Sequence, residues 1–361
     1  MGKHRRIWDW RTLARGPLLW LAGFAAAVVL SGCGSPPGVI FDPANTVNRW
    51  PQSPDTARIA FVGELKTDLD LKPGRGAFKG LGEAIFGKEP PRGMTRPMAV
   101  CTDGQRVFVA DSDGHVVHVF DLQTRKYEEW SPPKDARPFL QPVACAYDAA
   151  GGRLLVSDSG EGAVVMFDRQ GKYLGTIGDN WLHRPCGLLV EDKRVLVVDS
   201  AAHQIIALGL DGSHLERIGK RGSAPGEFNY PTFIAKDGRG RYYVSDSLNF
   251  RVQVLDADFK PIREIGRKGD LPGYFAQPKG LAVDEQDHLY VVDANFEAVQ
   301  IFDAEGALLM SFGHEGRGPG EFWLPTGVAM DSSGRLWVAD SFNKRVQVFE
   351  RLDVQGGADG K

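Results

Sequence analysis

Asp111, Asp158, Asp199, Asp246, Asp293 and Asp340 each close a short apolar run, in VFVADS, LLVSDS, VLVVDS, YYVSDS, LYVVDA and LWVADS. A ring of carboxylates is one way to hold a cation. The other reading is structural, because Asp side chains accept hydrogen bonds that shape turns. A second set stands just ahead of six regularly spaced prolines: Arg96, Gln141, His183, Arg184, Tyr230, Gln277 and Trp323. Two cations, amide donors and two aromatics suit an anionic, peptide or sugar-like ligand, although polar loop residues are also often merely solvated. A third set is His115, His183 and His203, and a catalytic zinc needs about three such ligands and an open position. The cysteines after residue 33 are Cys101, Cys145 and Cys186. Cys101 and Cys145 are candidates for a disulfide or for two buried thiols, with Cys186 left over.

Other chemistry is missing from the text of the chain. There is no G-x-S-x-G nucleophile elbow and no phosphate loop. GRGPGEF is Gly-rich but opens no helix, so its glycines read as turn positions.

The elements that position these residues come from a repeat. The prolines fall at 97, 142, 185, 231, 278 and 325, and both they and the aspartates recur every 41 to 47 residues. That period is the length of a four-stranded propeller blade. The 44 glycines and scarce helix-favouring runs agree with many short strands joined by tight turns. Each repeat reads as an innermost strand from the Pro, a second strand ending at the Asp, a third such as RVQVF, and an outer fourth such as ALLMSFG. On this reading the aspartates end second strands, too far out to converge on one ion, and work as turn residues. His118 takes the place held by Gln253, Gln300 and Gln347 in other repeats, which makes it structural. The sixth repeat lacks its fourth strand, and ARIAFVGEL at 57–65 has the matching pattern. We therefore expect an all-β six-bladed β-propeller, closed by an N-terminal strand that completes the last blade and removes a free edge.

The chain opens on a basic stretch and a 14-residue apolar run, PLLWLAGFAAAVVL, short for a membrane span and shaped like a secretory signal. It ends in LSGC, which resembles the bacterial lipoprotein lipobox. The resemblance implies cleavage before Cys33, acylation of that cysteine and a stable membrane anchor. Gly34 in place of Asp points to the outer membrane, with the domain facing the periplasm or the exterior. The expected organisation is a signal peptide at 1–32, a lipidated Cys33 and flexible tether at 33–56, a propeller at 57–352 with an insertion at 66–95, and a tail at 353–361. Within the insertion, GAFKGLGEAIFGK is a candidate short helix. The mature chain carries 38 basic and 45 acidic residues, a net charge of about −7 with no basic stripe, which argues against nucleic acid.

The last three repeats, such as FGHEGRGPGEFWLPTGVAMDSSGRLWVADSFNKRVQVFE, closely resemble NHL repeats; the first three lack the GPGEF and Asn-x-Arg elements. NHL propellers are mostly binding platforms. A minority are metal-dependent lyases, and gluconolactonase-like hydrolases use related propellers, with the metal in the central channel. Two functions follow. The first is a membrane-anchored scaffold that binds a protein or small molecule through the channel-mouth face, without metal or cofactor. The alternative is a lyase or hydrolase with zinc or calcium in the channel.

Overall fold

The computed structural model describes residues 36–42, 48–73 and 90–352. Cys33, the signal, the GAFKGLGEAIFGK stretch and the 353–361 tail lie outside the described residues. The chain divides into two units, 1–38 with 72–90, and 39–71 with 91–361. Of the first, the Gly38 amide donates to the Lys72 carbonyl at 3.1 Å. The second carries the propeller. Among the described residues, no helix is long and apolar enough to cross a membrane.

Six antiparallel sheets form the blades. Blade 1 comprises Pro97–Thr102, Arg106–Asp111, Val116–Asp121 and Lys126–Trp130, from the innermost strand outward. Blades 2 to 5 repeat this order, with innermost strands Pro142–Asp148, Pro185–Glu191, Pro231–Lys236 and Pro278–Val283 and outer strands ending at Ile177, Ile218, Ile265 and Phe312. Second and third strands are runs of Val, Ile, Leu and aromatics rather than alternating patterns, because each blade is covered by a neighbour on both faces. Val107, Phe108, Val109 and Ala110 are all fully buried. Outer strands have one wet face, and the alternation that follows is seen in Leu308–Phe312.

Blade 6 contains Pro325–Met330, Arg335–Asp340 and Arg345–Arg351, and its fourth strand is Ile59–Leu65 from the other end of the chain. Ile59 lies opposite Arg351 and Leu65 opposite Val346. The expected closure is present. A further short strand, Arg49–Trp50, pairs outside it. The folded domain thus begins before residue 57, inside the stretch expected to be a flexible tether. Phe41 meets Trp337 edge-on at 5.4 Å, and Trp50 packs on Phe312 at 5.6 Å and Phe349 at 5.9 Å. The physical reason is apolar surface left on the closing strand. Val62 sits in a bulge there and shares a buried cluster with Phe41.

Neighbouring blades are joined by hydroxyls next to the repeated aspartates. Ser159 donates to Pro185 O at 2.5 Å, Ser247 to Pro278 O at 2.6 Å and Ser341 to Pro97 O at 2.5 Å, each reaching the next blade. Innermost strands approach so closely that a Cβ on Gly327 would stand 2.6 Å from Ala99 Cα. Only glycine fits there.

Candidate functional site at the channel mouth

The geometry of the mouth starts from the six aspartates, all fully buried. Asp111 accepts the amides of Thr95 at 2.5 Å and Arg96 at 2.8 Å, and also that of Gly114 in the turn that follows it. Asp158 holds the Leu140 and Gln141 amides, Asp199 those of His183 and Arg184, and Asp293 those of Ala276 and Gln277. One carboxylate therefore fixes both the turn after the second strand and the loop leading into the innermost strand. The second of these duties was not legible in the sequence. Burial alone would raise the Asp111 carboxyl, but the His118 ring and the three amides hold it below the usual range. Burial wins at Asp293 and pushes its carboxyl up despite four amides.

Blades 4 and 6 use their aspartates differently, which explains the Asn-x-Arg-x-Gln pattern. Asp340 Oδ1 holds the Trp323 amide, while Oδ2 accepts from Asn343, Arg345 and Gln347. Those three side chains reach on to the carbonyls of Gly316, Gly318 and Glu321, fixing the GRGPGEF loop against its blade. Asp246, Asn249, Arg251 and Gln253 repeat the arrangement in blade 4. With Oδ2 taken, the residue before the proline turns left-handed, Tyr230 at φ 51° and Leu324 at φ 47°. The Tyr230 amide donates instead to His203 Nδ1 in blade 3 at 3.1 Å, with the two rings 4.5 Å apart.

That bond decides the histidines. His203 is buried and spent on the backbone, while the exposed His183 ring lies 3.5 Å from its own Asp199. Among the described residues, no group of three or more His, Cys, Asp or Glu side chains is placed to hold a metal ion. His118 bonds Asp111 at 2.9 Å and Tyr127 at 2.6 Å, a buried structural bridge. Burial raises the Cys101 thiol, and the adjoining Cys145 thiol raises it further; both are free thiols facing each other between blades 1 and 2.

All seven candidate mouth residues follow these clamped loops, on one end of the propeller. Their side chains are not equivalent. Arg317 covers Trp323 at 4.9 Å, Trp323 meets Phe342 at 5.5 Å, and Arg96 covers Phe342 at 5.1 Å, a row of two adjoining rings with a cation at each end, from blade 6 to blade 1. Gln141 and Arg184 are exposed, and Gln277 and Trp323 are half-buried. Sequence reasoning missed Lys279, which follows Pro278 on the innermost strand of blade 5. Burial in the channel, joined by the positive charges of Arg96 and Arg184, holds its ammonium below the ordinary lysine range. The channel end is thus cationic, with Arg96, Lys279 and Arg184 supplied by alternate blades. The overlooked signal was a lone charge among Met98, Val143, Cys186, Thr232 and Thr326, the residues that follow the other five prolines.

Comparison with known proteins agrees with the repeat reading. Residues 322–349 match the NHL repeat family profile, so the chain carries an NHL repeat on a six-bladed β-propeller. Over 129 residues, 35% of this chain, it is 25% identical to the B-box type zinc finger protein ncl-1 of Caenorhabditis elegans. The matched part is 15% of that protein, so the chain spans a small fraction of its length. A gluconolactonase from Xanthomonas campestris superposes with a TM-score of 0.56 at 17% identity, covering 72% of this chain and 87% of that one. Virginiamycin B lyase from Staphylococcus aureus gives 0.51 at 14% identity, covering 72% and 96%. At these identities the likeness is one of fold.

Proposed function

We propose that this protein is a lipid-anchored lipoprotein of the cell envelope whose propeller is a binding scaffold, taking an anionic ligand or an acidic segment of a partner protein at the channel mouth. The observation that carries the reading is the convergence of Arg96, Arg184 and Lys279 at the channel end, beside the Arg317–Trp323–Phe342–Arg96 row. Among the described residues, neither Arg184 nor Lys279 has a carboxylate partner for its side chain, so a ligand's negative charge would relieve the mutual repulsion. The aspartate clamps keep the loops in place without using these side chains, which favours a preorganised surface. The competing metal-dependent lyase or hydrolase reading would require metal donors where the channel end offers cations, and we rank it second. The anchor reading rests on LSGC and Cys33.

Crosslinking in intact envelopes tests the scaffold. Partners captured by the wild type should be lost when Arg96, Arg184 and Trp323 are changed to Ala; unaltered capture would defeat the channel-mouth assignment. The anchor is checked separately by fatty-acid labelling, which should disappear in Cys33→Ala. Metal analysis of the purified domain checks the alternative, and stoichiometric zinc or calcium surviving dialysis would promote it over the scaffold.

A further inference from the structure

Away from the mouth, the position five residues before the repeated Asp departs from the repeat in a single blade. It is Arg106, Arg153, Arg194, Arg241 and Arg335 in blades 1, 2, 3, 4 and 6, but His288 in blade 5. Three of these arginines do a double job, among them Arg194, which pairs with Glu191 at 2.9 Å and reaches the Tyr242 hydroxyl of blade 4 at 3.4 Å. Arg106 pairs with Asp103 at 2.7 Å and crosses to the Arg169 carbonyl of blade 2 at 2.5 Å. Arg241 pairs with Asp237 at 2.6 Å and crosses to the Ala304 carbonyl of blade 5 at 3.1 Å. Such a side chain spans the outer cleft between neighbouring blades. His288 also pairs with its acid, Asp284, at 3.0 Å, but an imidazole is too short to go on across the gap.

The gap stays open. Between blades 5 and 6 there is a cleft of about 620 Å³; the cleft beside Arg106 is about 210 Å³ and the one beside Arg194 about 1000 Å³. The 620 Å³ cleft is within the usual range for small-molecule sites. Its walls are apolar, including Ile59, Met310 and Leu352, and Leu352 is tied to one rim by its amide bond to Arg58 O at 2.7 Å. Among its polar lining residues, Arg58 and Arg351 carry positive charge beside Gln286, His288 and Tyr290. Arg351 spends one terminal nitrogen on Asp284 at 3.0 Å and on Gln286, which leaves the other without a protein acceptor among the described residues. Among the described residues, the Arg58 guanidinium has no partner and no acidic residue lines the cleft.

We propose that this cleft is a second binding site, distinct from the channel mouth, and that it takes a monoanionic amphiphile, a carboxylate-type head on an aliphatic body. Arg58 and Arg351 hold the head through charge-assisted hydrogen bonds, and the chain lies along Ile59, Met310 and Leu352. His288 lines this cleft, so the longer arginine side chain placed there should fill it.

Titration calorimetry with decanoate on the full mature chain tests this, with decanol as the uncharged control. Saturable one-to-one binding of decanoate is expected, with decanol at least about tenfold weaker, the worth of one charge-assisted hydrogen bond. Arg58→Ala should weaken decanoate by a similar factor. His288→Arg, which installs the side chain the other five blades carry, should abolish binding while the melting temperature is kept. No saturable binding, equal affinity for decanol, or undiminished affinity in H288R would each overturn the proposal. Binding seen only after removal of residues 353–361 would assign the cleft to the chain's own tail and overturn it as well. Channel-mouth variants are expected to bind decanoate normally, so this site and the scaffold reading can fail independently.

Discussion

Arg345→Ala asks whether the repeated Asp-x-x-Asn-x-Arg pattern is architecture. The Arg345 side chain is 1% exposed and makes four hydrogen bonds, to Asp340 at 2.7 Å, Glu64 at 2.8 Å, Gly318 O at 2.7 Å and Glu321 O at 2.8 Å. One guanidinium therefore links the closing strand, the blade corner and the GRGPGEF loop. Its removal leaves a buried Asp340 charge without its guanidinium partner and takes one donor each from the Gly318 and Glu321 carbonyls, which keep the Glu321 amide and Gln347 respectively. Breaking a buried pair in this way costs about 3–5 kcal/mol. At roughly 2–4 °C per kcal/mol for a domain of this size class, the melting temperature should fall by roughly 6–20 °C. Urea unfolding of the domain lacking its signal, followed by fluorescence of the buried tryptophans, measures the loss. Arg239→Ala is the control. That side chain is 58% exposed in its pair with Asp287, and such surface pairs contribute about 0–1 kcal/mol. Adding Asp340→Asn to Arg345→Ala should recover part of the loss, because the uncompensated charge is then gone. If R345A is no worse than R239A, the reasoning from the buried network is wrong.

Gly327→Ala should destabilise by about 1–3 kcal/mol, since its Cβ would collide with Ala99 Cα in the next blade and neither backbone can retreat; chemical denaturation giving wild-type stability would show that the innermost strands are less tightly joined than described. Lys279→Met should stabilise the domain at neutral pH. The folded-state pKa of Lys279 is lowered, so the penalty of holding its charge is present in full below that value and vanishes as pH rises through the folded and then the unfolded value, about 10.4. The advantage of Met should therefore shrink when melting is followed from pH 7 to pH 11, and an advantage independent of pH would remove Lys279 from the cationic cluster.

How far the sequence could be read depended on whether a signal was periodic. Blade number, strand order and the ring closure were legible because the prolines and aspartates recur every 41 to 47 residues and ARIAFVGEL supplies the one missing strand. The second duty of the aspartates was not legible, because it joins residues 15 to 18 apart across a strand pair, as between Asp111 and Arg96 or Asp158 and Leu140. Nor was the packing of Phe41 and Trp50, which are single aromatics in a Pro-rich stretch that carries no strand pattern. Lys279 escaped notice for a geometric reason. The innermost strands shift register just after each proline, so strand alternation does not say which of the following residues faces the channel.

Blade 5 shows what a repeat can conceal and what it can expose. It lacks the arginine of its neighbours at Ala298, lacks the interblade serine at Ala294, and carries His288 where five blades have Arg. The first change is tolerated because Asp293 is satisfied by backbone amides alone, those of Ala276, Gln277, Asn295 and Phe296. The third has no such substitute on the blade itself, and Arg351 of blade 6 reaches across to Asp284 instead. A repeat position that is merely structural can be lost where local backbone replaces it. His288, which lines a cleft with Arg58 and Arg351, is where the proposed second site would give such a position another use. The same logic separates Asp340 from Lys279: the aspartate recurs because every blade needs its corner held, while the lysine stands alone among the residues that follow the six prolines, as the proposed channel-mouth site would require.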